Sequence, residues 1–390
     1  MSVGDSTTQI SHRQDVRDVL FVFLGSCAFF LLFCWLGNAF LESKTVEEVP
    51  ARMPSLRDVT DWMARPDTGW YLTIIEDGYE NRPFSLERQA NWAFFPGYPL
   101  LVKVFADVVS MDYVRAGGLL SLLFYLLALF ILWRLLALDF DEATVLRTLL
   151  LIAFYPFSFS LAGFGPDSLA VFTSCAAFYC ARKEQWLLAG LLGGVTSGVR
   201  AQGVLLFLPL LYLYVRSRDY DWRRIDRNCL GVFLVPAGLL AFMIHLYGKT
   251  GNPLAFSQIQ YTWDNSAAPP FAAIASALET PRIVGHYGWN PEMLSIIFTL
   301  SIIPVLVWAF ASRKIPFEYT LFATLQLLVL VSRESTLGNL RYILGIFPYF
   351  LVLAVWGKST KVFLLILAIF TGGLGLFLAL FASGYHSVSF

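Results

Sequence analysis

The chain has 390 residues, 57% of them hydrophobic and 14% charged, with 28 Lys+Arg against 28 Asp+Glu and a formal net charge of zero. Balanced charge offers no electrostatic footprint for nucleic acid, and a soluble domain of this length carries closer to about 25% charged residues. Solid apolar blocks, rather than alternating apolar and polar residues, also exclude an outer-membrane barrel. What remains is an all-α, polytopic integral membrane protein.

In chain order, apolar runs predict transmembrane helices at 18–40, 115–138, 144–162, 167–182, 186–200, 203–216, 228–248, 292–311, 316–333, 339–357 and 361–383, which is eleven. The fifth and sixth are short and could form one broken pair. The first run is longer than a signal-peptide core and lacks a small-x-small cleavage site, so it is expected to remain as a helix. Lysine and arginine in short loops favour the cytoplasm. That rule places "ARKEQW" (181–186), "VRSRDYDWRRIDR" (215–227), "SRK" (312–314) and "GKSTK" (357–361) inside. The other side then receives two long segments, 41–114 and 249–291, together with "GFGPDS" (163–168), the turn near Arg200 and "RESTLGN" (333–339). Loops of such length usually carry structure or function. The first contains "FFPGYPLLVKVFADVV" (94–109), which suits an interfacial helix. The whole chain, 1–390, reads as one membrane domain.

Five cysteines (Cys27, Cys34, Cys175, Cys180, Cys229) lie in or beside apolar segments without metal-ligand spacing, and none of the four histidines is paired at i, i+4. No metal site and no cofactor is read from them, although a divalent metal is left open.

The charges that remain are concentrated. In "RPDTGWYLTIIEDGYE" (65–80), Asp67 stands among Trp62, Trp70 and Tyr71, where a general base could meet a lipid-borne substrate. The same residues also suit a helix cap, since Pro66-Asp67-Thr68 is ordinary helix-start chemistry. Asp167, in "GFGPDSLAVF", begins a helix, where the dipole alone favours a carboxylate. Arg200 and Arg341 lie at the edges of apolar runs, where a cation calls for a partner, and an anionic lipid phosphate is one. Arg333 and Lys249 are read as snorkelling to the headgroups. A base, a second acid, aromatic rings and arginines are the equipment for moving a group off a lipid phosphate.

The order "RPDTGWYLTIIEDGY", "NWAFFPGYPLLVKVF", "FYPFSFSLAGFGPDSLAVF", "LLAGLLGGVTSGVRAQGVLLFLPLL", "GNPLAFSQIQYTWDN" and "LRYILGIFPYFLVLA" resembles the PIG-V family of GT-C membrane mannosyltransferases and its prokaryotic relatives, over about residues 65 to 355. The resemblance implies a GT-C-like fold, a polyprenyl-phosphate-linked sugar donor, inverting transfer and an active site facing away from the cytoplasm. It implies a hexosyltransferase, moving mannose, with a glycolipid, protein or glycan acceptor; membrane lipids are partners and nucleic acid is not. It makes Asp67 and Asp167 catalytic and places Arg200, Arg341, Trp70, Tyr71, Gln202 and Tyr342 against substrate. Pro66 stands where the family favours tryptophan. His286, Tyr287 and Trp289 are candidates for the acceptor side. A chain shorter than eukaryotic PIG-V proteins and without a retrieval signal points to a prokaryotic plasma membrane. The alternative is a transporter or flippase of a lipid-linked saccharide, holding the same phosphate without chemistry. A third reading is an inactive subunit that kept the fold.

Overall fold

The computed structural model describes residues 12–41, 67–280, 284–285, 288–289, 291–336 and 338–383. They form helices α1 His12–Phe40, α2 Thr68–Glu76, α3 Gly97–Val109, α4 Tyr113–Leu136, α5 Glu142–Ala153, α6 Asp167–Arg182, α7 Trp186–Val199, α8 Phe207–Ser217, α9 Cys229–Val232 and α10 Ala237–Thr250. The second half continues with α11 Ala255–Gln258, α12 Ala272–Glu279, α13 Glu292–Ser312, α14 Phe317–Val331, α15 Asn339–Ile343, α16 Phe347–Trp356 and α17 Thr360–Ala382. Among the described residues the only strands are β1 Val284–Gly285 and β2 Gly288–Trp289, paired antiparallel.

Among the described residues, four helices are long and apolar enough to cross a membrane: Asp15–Phe40 within α1, then α4, α13 and α17. The other expected spans are helical but shorter or interrupted, and the interruptions have visible causes. The run 144–162 leaves the α-helix after Ala153, passes Pro156 and resumes as a 3-10 turn, Ser158–Leu161. The run 228–248 divides at Pro236 into α9 and α10, and 339–357 divides before Pro348 into α15 and α16. Proline lacks the N–H that would continue the helix and its ring crowds the preceding turn. Segment 203–216 starts as a 3-10 helix, Ala201–Leu206, before α8.

Helix α4 packs on α6, α6 on α7 and α1 on α17. Much of the interior is aromatic: Tyr155 is surrounded edge-on by Phe298, Phe350 and Phe370, at 5.3–5.5 Å between centroids. Between α7 and α10 the backbones approach so closely that a Cβ on Gly238 would strike Gly194 and Gly198. Small residues permit this approach where side-chain burial gives little drive between helices in lipid. The expected interfacial helix is α3, whose Leu100, Val104 and Val108 point outward at i, i+4, i+8. Lys103, on its other side, donates to the Ile75 carbonyl at 2.7 Å and fastens α3 to the end of α2.

Candidate active site

The acidic stretch 65–80 divides into two jobs. Glu80 is structural: it accepts from Arg82 and Arg88, both at 2.9 Å, while its backbone carbonyl accepts from Trp92 Nε1 and its N–H donates to Asn91 Oδ1. Asp67 does something else. It occupies the N-cap position of α2, yet its side chain makes no capping hydrogen bond. Its Oδ2 instead accepts from Arg341 Nη1 at 2.7 Å, across 274 positions of sequence.

Asp167, the first residue of α6, is buried and accepts from Arg200 Nη2. A short chain of contacts brings the two acids to one place. Tyr71, one turn beyond Asp67, lays its ring against Phe94, Tyr98 and Phe164 at 5.3–6.3 Å. Phe164 immediately precedes the Gly165-Pro166 turn into Asp167, and Ser121 Oγ holds that turn by donating to the Gly165 carbonyl. Burial, with Asp67 adding to it, pushes the Tyr71 phenol well up, so it is a neutral hydroxyl.

Arg200 ends α7 in extended backbone, and the chain reverses at once: Gly203 N–H donates to the Arg200 carbonyl at 2.9 Å. A Cβ on Gly203 would overlap the Thr196–Ser197 backbone, so the turn requires glycine. Thr196 in turn bonds Thr173 of α6 at 2.8 Å, fixing α7 against the helix that Asp167 begins.

Arg341 sits on α15, whose start at Gly338 has φ of +77°, a left-handed conformation that glycine adopts without penalty. Its side chain is only 13% exposed, and its Nε is a buried donor without a partner among the described residues. Buried donors are almost always paired, so an orphan beside a carboxylate marks a place for another oxygen.

Arg333 is the residue that sequence reasoning misplaced. It does not extend to the headgroups but turns inward, donating from Nε to Asn265 Oδ1 at 2.8 Å and from Nη1 to Asn339 Oδ1 at 3.0 Å. Both partners are neutral amides, and among the described ion pairs no carboxylate meets it. The signal available in the sequence was "GN" at 338–339 and the asparagine at 265, but neither spacing shows that they converge. Segment 265–271 is joined to 331–334 by backbone hydrogen bonds, Ala268 N to Ser332 O and Glu334 N to Ser266 O among them.

The three arginines surround one ring. Arg333, Arg200 and Arg341 place Cζ at 4.8, 5.0 and 5.4 Å from the Tyr342 centroid. Two carboxylates against three guanidiniums leave the cluster with an excess positive charge. Such a cluster attracts an anion that offers several oxygens. Each acid accepts from an arginine, and among the described residues no group of three or more His, Cys, Asp or Glu side chains is gathered in one place.

The expected site residues are thus brought together in Asp67, Asp167, Arg200, Arg341, Tyr71 and Tyr342. Trp70 faces a second aromatic group, with Phe94 stacked at 5.7 Å and Trp263 edge-on at 5.6 Å. Gln202 lies on the turn after Arg200 without a hydrogen bond to any member of the cluster among the described residues. Trp62, Pro66, His286, Tyr287 and the side chain of Trp289 lie outside the described residues.

Comparison with known proteins adds the following. Residues 95–247 match a family described as dolichyl-phosphate-mannose-protein mannosyltransferase; this segment carries Asp167 and Arg200, while Asp67, Arg333 and Arg341 fall outside it. No curated protein matches the chain. Among solved structures it is similar to the Archaeoglobus fulgidus oligosaccharyltransferase tethered with an acceptor peptide, at 12% identity and a TM-score of 0.45, covering 94% of this chain and 55% of that one. The same archaeal oligosaccharyltransferase, AglB, in complex with an inhibitory peptide and a dolichol-phosphate gives 11% and 0.45, with the same coverage. Its apo form gives 11% and 0.46, covering 94% and 56%. The chain therefore spans little more than half the length of these structures.

Proposed function

We propose that the chain is an integral-membrane glycosyltransferase of the GT-C class, PIG-V-like, that moves a hexose from a polyprenyl-phosphate carrier to an acceptor hydroxyl on the extracytoplasmic side, with inversion. Mannose is the first sugar to try, because both the motif order and the family matched by residues 95–247 concern mannosyl transfer. The observation that carries the proposal is the convergence, at one end of the bundle, of two carboxylates with three arginines around Tyr342.

In the proposed reaction the donor phosphate, a monoanionic diester, takes the excess positive charge of Arg200, Arg333 and Arg341 and an oxygen of it meets the orphan Arg341 Nε. That phosphate shares the guanidinium now bound to Asp67, which loosens the carboxylate for its task. The acceptor oxygen attacks the anomeric carbon from the face opposite the phosphate, and Asp67 takes its proton. The bond from the anomeric carbon to the phosphate oxygen breaks with its electron pair. The polyprenyl phosphate gains one negative charge, which the arginines stabilise more than they did in the ground state. Asp167 holds Arg200 in place.

The test supplies purified protein with radiolabelled polyprenyl-phosphate-mannose or polyprenyl-phosphate-glucose and a membrane-lipid extract, comparing wild type with Asp67→Asn. Transfer from one donor that vanishes in the variant supports the enzyme and names its sugar. Donor that is bound but not consumed with any acceptor favours the transporter reading instead.

A further inference from the structure

The end of the bundle away from the cluster carries cations that no acid answers. Helix α6 runs from Asp167 to Arg182, and Arg182 lies 3.9 Å from Glu318, the carboxylate that Arg216 binds at 2.9 Å. Two loops reach the surface beside that junction, one after α8 and one after α13. In the first, every acid is engaged by its neighbours. Asp219 and Asp221 pair with Arg224, Asp221 also accepts from the Arg223 N–H at 2.9 Å, and Asp226 accepts from Arg218 at 2.9 Å and from Tyr214 at 3.0 Å. Arg223 and Arg227 are left over, and the second loop adds Arg313 and Lys314. All four are exposed, and among the described residues none of them joins an ion pair.

The backbone takes costly conformations to present them. Arg313 caps α13 with φ of +53°, a left-handed position that glycine usually fills, and Asp219 and Tyr220 take φ of +54° and +58° in succession. That double reversal leads into a short 3-10 turn, Trp222–Arg224, whose Trp222 is 76% exposed. A line of rings joins the two loops. The Tyr220 hydroxyl donates to that of Tyr212 at 3.2 Å, Tyr212 lies 4.7 Å from Phe317, and Phe317 lies 6.2 Å from Phe310. Tyr220, Phe317 and Phe310 are exposed. Beyond the first loop, Leu230 and Phe233 of α9 and Leu240 and Ile244 of α10 are exposed in turn, as an apolar face.

Bare cations, rings with polar edges and an apolar face, in that succession, match the boundary between lipid headgroups and acyl chains. A zwitterionic headgroup brings its own cation beside its phosphate and gains little from four more. A headgroup with net negative charge gains from each of them. A soluble acidic partner would use the arginines and leave Trp222, Leu230 and Phe233 without a counterpart.

We propose that the loops after α8 and α13, with the rings between them, form a site selective for acidic phospholipid in the leaflet at this end of the bundle. Arg223, Arg227, Arg313 and Lys314 hold the headgroup phosphate, Trp222 lies at the glycerol level, and acyl chain covers Leu230 and Phe233. Lipid held there braces α8 against α14 beside the Arg216–Glu318 pair. The site is separate from the cluster of Asp67 and Arg341 and stands whether or not the chain is a transferase.

Two measurements test the site. In nanodiscs of equal parts phosphatidylcholine and phosphatidylglycerol, native mass spectrometry of the full chain reads which lipid stays bound. Phosphatidylglycerol should be retained over phosphatidylcholine by at least about tenfold. Replacing the four cations together, Arg223→Gln, Arg227→Gln, Arg313→Gln and Lys314→Gln, should bring that ratio to within about twofold of unity. Arg17→Gln with Lys361→Gln removes two exposed cations at the same end, on α1 and α17, and should leave the ratio unchanged. The second measurement keeps every charge in place. Trp222 fluorescence, taken as wild type minus Trp222→Phe, should be quenched at least about twice as strongly by brominated phosphatidylglycerol as by brominated phosphatidylcholine. Equal retention of the two lipids, or equal quenching by both, would overturn the proposal. So would a lost preference in the Arg17, Lys361 variant, which would reduce the site to the overall charge of that end. A dimer in the mass spectrum that Trp222→Ser dissolves would overturn it by giving the face to a second copy.

Discussion

The two ends of the helix bundle carry similar numbers of charges arranged to opposite effect. At one end Asp67 and Asp167 face Arg200, Arg333 and Arg341. At the other, Asp139 after α4, Arg182 on α6, Arg216 on α8 and Glu318 on α14 form a second network. Helix α6 links them, with Asp167 and Arg182 about 22 Å apart along its axis. In the second network the charges balance: Arg182 grips Asp139 with both nitrogens, at 2.5 and 2.7 Å, and Arg216 donates to the fully buried Glu318 at 2.9 Å. Tyr319 accepts a further bond from Arg182 at 3.3 Å. Two acids thus meet two arginines, and the network ties four elements together. The first end has a cation too many and an orphan donor, Arg341 Nε, whereas the orphan atom of the second network is an acceptor, Glu318 Oε1, that already has Arg182 3.9 Å away. Equal equipment makes a staple when its charges close on themselves and leaves a net positive charge when they do not.

The largest separation between the ends should come from Asp67→Asn. It should lower sugar transfer by about a thousandfold while donor binding, measured by filter retention of labelled donor, stays within about threefold. Loss of folding in this variant would show that Asp67 is as structural as Glu318.

Glu318→Ala should behave in the converse way, because it strands a guanidinium at a buried site. A loss of about 3 kcal/mol in stability is expected, reduced by the partial exposure of Arg216, with the turnover of the folded fraction unchanged. Thermal unfolding followed by intrinsic fluorescence and a specific-activity assay read the two quantities separately.

Arg333→Gln keeps the amide contacts within reach but removes the surplus charge. The donor KM should rise about tenfold, with the unfolding midpoint hardly moved; a change in midpoint with no change in KM would assign Arg333 to the staple class.

The smallest effect is expected at Gln202, where alanine should leave kcat/KM within about twofold.

Apolar runs of membrane length, a long aromatic-rich loop with one acid among tryptophans, and arginines at the edges of apolar segments point, from the order of residues alone, to a helical membrane protein with its polar groups gathered at one face. The same signals single out Asp67, Asp167, Arg200 and Arg341, which the fold brings to one place. They do not tell a cap from a salt bridge at Asp67, because both readings need the same Pro-Asp-Thr sequence. Only the 274-residue contact with Arg341 decides it.

Arg333 shows the opposite limit. An arginine at the end of an apolar helix is free to extend outward or turn inward, and local sequence is equally compatible with both. The inward choice depends on Asn265 and Asn339 arriving from two other places, and on a tyrosine ring between them. Sequence alone determined the solvent in which this chain folds and the residue types that are too costly to place there by accident, since hydropathy and charge are local properties. The tertiary structure decided which charges close on one another and which remain open to a ligand, because electrostatic balance is a sum over neighbours that the chain order does not contain.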